Sequence, residues 1–175
     1  RNLPRADWGK AVAHAGLGVT MAGIAGLIAW EQEDIRVLQN GEQFDIAGYT
    51  IVLNGVEEVQ GPNYLSTMGD VTLLNGTREI ATLNPEKRVY PVAGMPTTEA
   101  AIDIGFFRDV YVVVGDAQVG GGWAFRTYYK PLANWIWGGA ILMAIGGALS
   151  LSDRRYRVAA GARRTPSTTV GVAAE

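Results

Sequence analysis

Cysteine is missing from this chain of 175 residues, and histidine occurs once, as His14. Without cysteine there is no disulfide staple and no C-x-x-C-H attachment site, so the chain is not itself a c-type cytochrome. Zinc sites of the Cys/His kind are excluded by count. A Ser/His/acid triad has no histidine to use outside the apolar stretch that holds His14. Nor does the middle of the chain carry a basic groove with interleaved aromatics, which argues against a nucleic-acid partner. Internal repeats are absent as well.

Charge is missing from two long stretches. Leu132 to Leu151 is 20 residues without a charged side chain, about what is needed to cross a bilayer core of ~30 Å. Tyr128, Tyr129, Trp135 and Trp137 crowd its start, and Arg154, Arg155 and Arg157 follow its end. Aromatic rings settle at headgroup level and short Arg-rich flanks stay in the cytoplasm, so this span runs from outside to inside. A buried helix of a soluble domain would not need that polarity. Ala11 to Trp30 is a second 20-residue stretch, interrupted only by His14 and Thr20. Arg1, Arg5 and Lys10 precede it, while Glu31, Glu33 and Asp34 follow. Its length, its Gly-rich middle and the lack of an A-x-A site before Trp30 argue against a cleaved signal.

The net charge of −2 hides an asymmetry. Residues 1–10 carry net +2, residues 31–131 net −7 and residues 152–175 net +3. Two basic cytoplasmic ends around an acidic external domain satisfy the positive-inside rule. The expected organisation is a cytoplasmic loop at 1–10, a transmembrane helix at 11–30 and an external β domain at 31–131. A second transmembrane helix at 132–151 and a basic cytoplasmic tail at 152–175 follow, with disorder expected from Ala159 onward. The opening ten residues read as a loop between helices, so the chain is expected to be the C-terminal part of a larger membrane protein.

About a hundred residues between the spans suffice for one compact domain. Short β-branched and aromatic runs lie at Tyr49–Leu53, Val71–Leu74, Ile80–Leu83, Arg88–Val92, Val110–Val114 and Trp123–Tyr129. Asn40-Gly41, Asn54-Gly55, Asn75-Gly76 and Gly120-Gly121-Gly122 separate them, and Asn-Gly between extended runs signals a hairpin. No stretch there shows a sustained 3.6-residue apolar period, although Thr98–Ile104 could form a short turn of helix. The predicted fold class is membrane α plus β: two transmembrane helices bracketing an all-β sandwich or barrel-like domain.

His14 is the sharpest chemical signal, because a polar side chain inside a span is costly and tends to face a partner. His14, Gly18, Ala22 and Gly26 recur at i+4, which suggests one face with small residues below the imidazole. Small residues let a second helix approach, with His14 bonding across the contact. The same stripe leaves room for a flat macrocycle, with the imidazole as axial ligand to its iron. The residues alone leave both readings open, helix packing being the commoner. Met21, Met68, Met95 and Met143 are better read as gap fillers than as axial ligands. Glu86-Lys87-Arg88, Thr98-Glu99, Asp103 and Arg108-Asp109 form either a docking surface or, the favoured reading, an internal network that fastens the domain. Gly61-Pro62-Asn63-Tyr64 reads as a turn.

Several short motifs occur in a specific order over about 150 residues: Trp8-Gly9 with Ala13-His14, Gly61-Pro62-Asn63-Tyr64, and Pro85-Glu86-Lys87-Arg88 with Tyr90. Pro96-Thr97-Thr98-Glu99-Ala100-Ala101-Ile102-Asp103, Arg108-Asp109-Val110-Tyr111, Tyr128-Tyr129-Lys130-Pro131, Trp135-Ile136-Trp137 and Asp153-Arg154-Arg155-Tyr156-Arg157 continue it. In these motifs the chain resembles the C-terminal segment of the CcmF family, the haem lyase subunit of cytochrome c maturation. The nitrite reductase haem lyases share much of the pattern. The resemblance implies a multi-pass protein of the bacterial inner membrane, with 31–131 periplasmic and both termini cytoplasmic. It implies that haem is joined to apocytochrome c with the help of a haem chaperone and thiol-handling subunits. It also implies a transmembrane haem b held by two histidines, His14 matching the later one. The second ligand would come from upstream of Arg1, in the same protein or a split subunit. No catalytic residue is assigned within this chain.

Overall fold

The computed structural model describes residues 4–92 and 94–153, so the expected disorder of the tail lies outside the described residues. Helix α1 (Arg5–Trp30) is followed by ten strands and helix α2 (Ala133–Leu151). The strands are β1 (Gln32–Leu38), β2 (Gln43–Ile46), β3 (Tyr49–Gln60), β4 (Leu65–Asn75) and β5 (Arg78–Leu83). They continue as β6 (Glu86–Val89), β7 (Pro96–Glu99), β8 (Ala101–Ile104), β9 (Arg108–Ala117) and β10 (Trp123–Pro131). Two apolar helices therefore flank a domain of strands, as the composition predicts. Helix α1 starts at Arg5, ahead of the apolar stretch, with Asp7 in its first turn, where a carboxylate favours the positive end of the helix dipole.

The strands form two antiparallel sheets, β1-β10-β9-β8 and β2-β3-β4-β6-β7, with β5 also paired to β4. Their inner faces make the core. Val110, Val112, Val114 and Phe125 come from one sheet, and Ile51, Leu53, Val71, Leu73 and Leu83 from the other. Every second residue of these runs is apolar, and a strand turns alternate side chains to one face, so the pattern converts directly into a sandwich interior.

Two local expectations fail. Asn54-Gly55 does not end a strand. Leu53 pairs with Val71 and Gly55 with Asp70, leaving Asn54 as the extra residue of a bulge inside β3. Its amide donates to Thr72 Oγ1 at 2.9 Å and Asp70 Oδ1 at 3.3 Å, bonds across the sheet that a turn would not make. The tight turn between β2 and β3 instead uses Ala47 and Gly48, with φ of 49° and 81°. An alanine in the left-handed region is hard to anticipate from sequence. Thr98–Ile104 is not helical either. Thr98 pairs with Lys87 in one sheet and Ile102 with Tyr111 in the other, so ladder bonds override a weak local preference. Asn75-Gly76 does mark a hairpin: Asn75 pairs with Arg78 and Gly76 has φ of 60°.

By contacts the chain divides into two units, Met21–Trp137 and the remaining described residues. In the latter unit the two helices touch through backbone. A Cβ added at Gly9 would lie 2.6 Å from the Gly146 carbonyl oxygen, and one at Gly16 would lie 2.7 Å from that of Gly139. Within Met21–Trp137, a Cβ at Gly23 would stand 2.9 Å from the Ile136 nitrogen. Ala6, Gly9, Ala13, Gly16, Thr20 and Gly23 alternate steps of three and four, the spacing that keeps small residues on one helical seam.

Candidate functional site

His14 lies off that seam. Its side chain is exposed, as are Gly18 and Ala22, and a Cβ on Gly18 would meet nothing within 4 Å. Gly26, by contrast, is buried against Leu132. The expected shared face is therefore corrected. Each i+4 step overshoots a 3.6-residue turn by about 40°, so a stripe of four such residues winds around the helix. His14 Nδ1 sits 2.8 Å from the Lys10 carbonyl oxygen. A carbonyl only accepts, so Nδ1 carries the proton and donates it, which leaves the Nε2 lone pair bare and aimed away from that bond. A histidine held in this tautomer, with open space one turn along at Gly18, is suited to an axial-ligand role through Nε2. Of the methionines, Met143 packs against Gly16 in the helix seam. Among the described residues, no three His, Cys, Asp or Glu side chains cluster to hold a metal ion.

The polar motifs gather at two places in the β domain. At the first, Glu86 takes a two-point bond from Arg88, at 2.8 and 3.0 Å, and a hydroxyl bond from Ser66 at 2.8 Å. Those bonds, Arg88 first, lower the Glu86 pKa, and the bond to Glu86 raises that of Arg88. The Arg88 guanidinium lies 4.6 Å over the Tyr64 ring, which itself stands 5.6 Å from the ring of Tyr90. Gly61-Pro62-Asn63-Tyr64 is a turn between β3 and β4, closed by Gly61 N–H donating to Tyr64 O at 2.9 Å. Two motifs far apart in sequence thus share one arginine. Lys87 pairs with Asp116 of β9, tying the second sheet to the first.

The second place joins Arg108-Asp109 to the start of α2. The Arg108 Nε donates to Tyr49 Oη at 3.0 Å, and its guanidinium pairs with Asp103. Asp109 is buried, and its Oδ1 accepts from Gly105 N–H at 3.1 Å and from Asn134 Nδ2 at 2.9 Å. Asn134 also donates to Gly105 O at 2.8 Å, Trp135 Nε1 to Phe106 O at 3.1 Å, and Leu132 N–H to Phe107 O at 2.8 Å. The favoured network reading holds for this motif: it fastens the sheet to the helix that follows. Sequence reasoning missed Asn134. Its signal was an amide near the start of an otherwise apolar run, masked by a criterion that counts only charge.

The family model for the CcmF C-terminal beta-sandwich matches residues 29–131. The chain belongs to the CcmF family. The cytochrome c-type biogenesis protein ccl1 of Rhodobacter capsulatus is 61% identical over 99% of this chain and 26% of its own length. The cytochrome c-type biogenesis protein CcmF of Pseudomonas aeruginosa is 43% identical over 90% of the chain and 24% of its own length. A solved structure, the cytochrome c heme lyase CcmF, superposes with a TM-score of 0.67 at 17% identity, covering 85% of this chain and 25% of that one. At that identity the likeness speaks for the fold. This CcmF-family chain therefore spans about a quarter of the length of the curated relatives it matches.

Proposed function

We propose that the chain is the C-terminal part of a haem lyase component for cytochrome c maturation, set in the bacterial inner membrane. Its kinship with cytochrome c-type biogenesis proteins supports the general role. Two helices long and apolar enough to cross a membrane, with the +2, −7, +3 charge order, support the placement. In this reading 11–30 and 132–151 are the spans, 31–131 is periplasmic and both termini are cytoplasmic. Apocytochrome c, a haem chaperone and thiol-handling subunits are the partners. The attachment chemistry belongs to parts of the assembly outside this segment, for which this chain supplies a periplasmic domain and one haem ligand.

The observation that carries the ligand assignment is the exposed imidazole of His14, with Nδ1–H bonded to Lys10 O and Nε2 bare. His14 would hold the iron of haem b from one side, and a histidine outside this segment would hold it from the other. Bound haem b supplies a one-electron redox centre. The Lys10 carbonyl would orient the ring, while Gly18 leaves space where a larger side chain would meet the macrocycle. In a lyase containing this segment, His14→Ala should sharply reduce bound haem b at normal expression, and His14→Gly should recover part of it with added imidazole. An unshifted, full-strength haem spectrum in the alanine variant refutes the assignment and leaves the alternative, a membrane-tethered β scaffold without a cofactor of its own.

A further inference from the structure

The turn between β8 and β9 carries two adjacent phenylalanines that the sandwich does not use. Phe106 is 72% exposed, Phe107 63% and Ile104, just before them, 70%. The rings are nonetheless ordered against one another. Phe106 and Phe107 meet edge to face at 4.8 Å, and Trp135 lies 5.9 and 6.0 Å from them. The backbone beneath is also closed off: the carbonyls of Gly105, Phe106 and Phe107 accept from Asn134, Trp135 and the Leu132 amide in turn. Gly105 N–H is satisfied by Arg108 O at 2.9 Å and by Asp109.

We infer that the Ile104–Phe107 turn is a lipid contact, a wedge seated at the headgroup–acyl boundary of the bilayer. Water would satisfy those three carbonyls without help and would disfavour the exposed rings. Lipid makes the opposite demand: backbone groups must be satisfied within the protein and side chains must be apolar. The three donors are the first residues of the apolar α2 run, so the turn sits at the level where that run begins. Phe106, Phe107 and Trp135 together form the aromatic cluster that interfaces favour. The wedge fixes the height of the β domain on the membrane, and Asp109 and Asn134 hold it rigid. This rests on the membrane reading above, which the test separates from it.

The chain lacks cysteine, so single cysteines can carry an environment-sensitive fluorophore without interference. The full chain is reconstituted in phosphatidylethanolamine–phosphatidylglycerol vesicles containing lipids spin-labelled near the headgroup or deep in the acyl region. Phe106→Cys is the main site, and Ile104→Cys keeps both rings in place. Ile141→Cys reports the middle of α2, and Val119→Cys reports the exposed β9–β10 loop. Labels at 106 and 104 should be quenched about threefold more by the shallow spin label than the label at 119, and shielded from aqueous iodide, as interfacial residues are. Ile141 should respond most to the deep label. If Ile141 is not quenched, the membrane reading fails and the wedge with it. If Ile141 is quenched but 104 and 106 are open to iodide, the wedge alone is wrong. Protection at 104 and 106 from both iodide and lipid spin labels means that protein covers the turn, which also overturns the lipid assignment.

Discussion

Replacing Asn134 by alanine tests the coupling between the sandwich and α2. The amide makes one bond to a neutral carbonyl, Gly105 O, and one to the Asp109 carboxylate. A neutral bond contributes about 1 kcal/mol and one to a charged acceptor about 2, so the loss should approach 3 kcal/mol. Asp109 keeps the Gly105 N–H, which limits the penalty of leaving its carboxylate underbonded. The cost should appear as local opening of the 105–109 turn from α2 rather than as global unfolding, because the amide bonds Gly105 and Asp109 while the β9 valines pack in the sandwich core. At ~1.4 kcal/mol per factor of ten, hydrogen exchange at the amides of Leu132 and Gly105 should accelerate about a hundredfold. Exchange at Val112, buried in the sandwich, should change little. Asn134→Asp should be worse, since it sets a second carboxylate against Asp109 and the Gly105 carbonyl. Adding Asp109→Asn should recover part of that loss, a coupling that independent sites would not show. Exchange at Leu132 and Gly105 within about threefold of the parent in Asn134→Ala would refute the fastening role, since the lost bonds predict far more.

Gly16→Val should weaken the helix pair by about 2 kcal/mol, because its Cβ meets the Gly139 backbone at 2.7 Å, whereas Gly18→Val should be neutral for that contact. Equal midpoints for the two variants in a detergent denaturation series would contradict the seam. On the proposed ligand role of His14, Gly18→Val in the full-length protein should instead lower haem occupancy by filling the space beside the imidazole. The depressed pKa of Glu86, caused first by Arg88 and then by Ser66, gives a stability contribution that is present above the ordinary carboxylate range of about 4.3. It is lost as pH falls through the lower folded-state value, so the acid limb of the unfolding curve should flatten in Glu86→Gln. An unchanged limb would mean that the carboxylate contributes equally to the folded and unfolded states.

Periodicity and charge made the outline legible. An uncharged 20-residue run can form a span because its helix satisfies its own backbone, whatever surrounds it. Alternation at Ile51/Leu53, Val71/Leu73 and Val110/Val112/Val114 dictates strands with one buried face. His14 was legible as an anomaly in a span. The direction it faces was not, because a helix rich in small residues offers several faces and only the approach of α2 chooses the seam through Gly9 and Gly16. Asn54-Gly55 and Thr98–Ile104 were misread for a related reason. A turn-prone pair becomes a bulge, and a helix-prone segment becomes two strands, when ladder partners on neighbouring strands contribute bonds that local preference cannot match. Asn134, Asp109 and the phenylalanine turn acquire their roles only when β9 and α2 meet. Sequence alone determines what each segment can bury; the tertiary structure decides which groups are buried together.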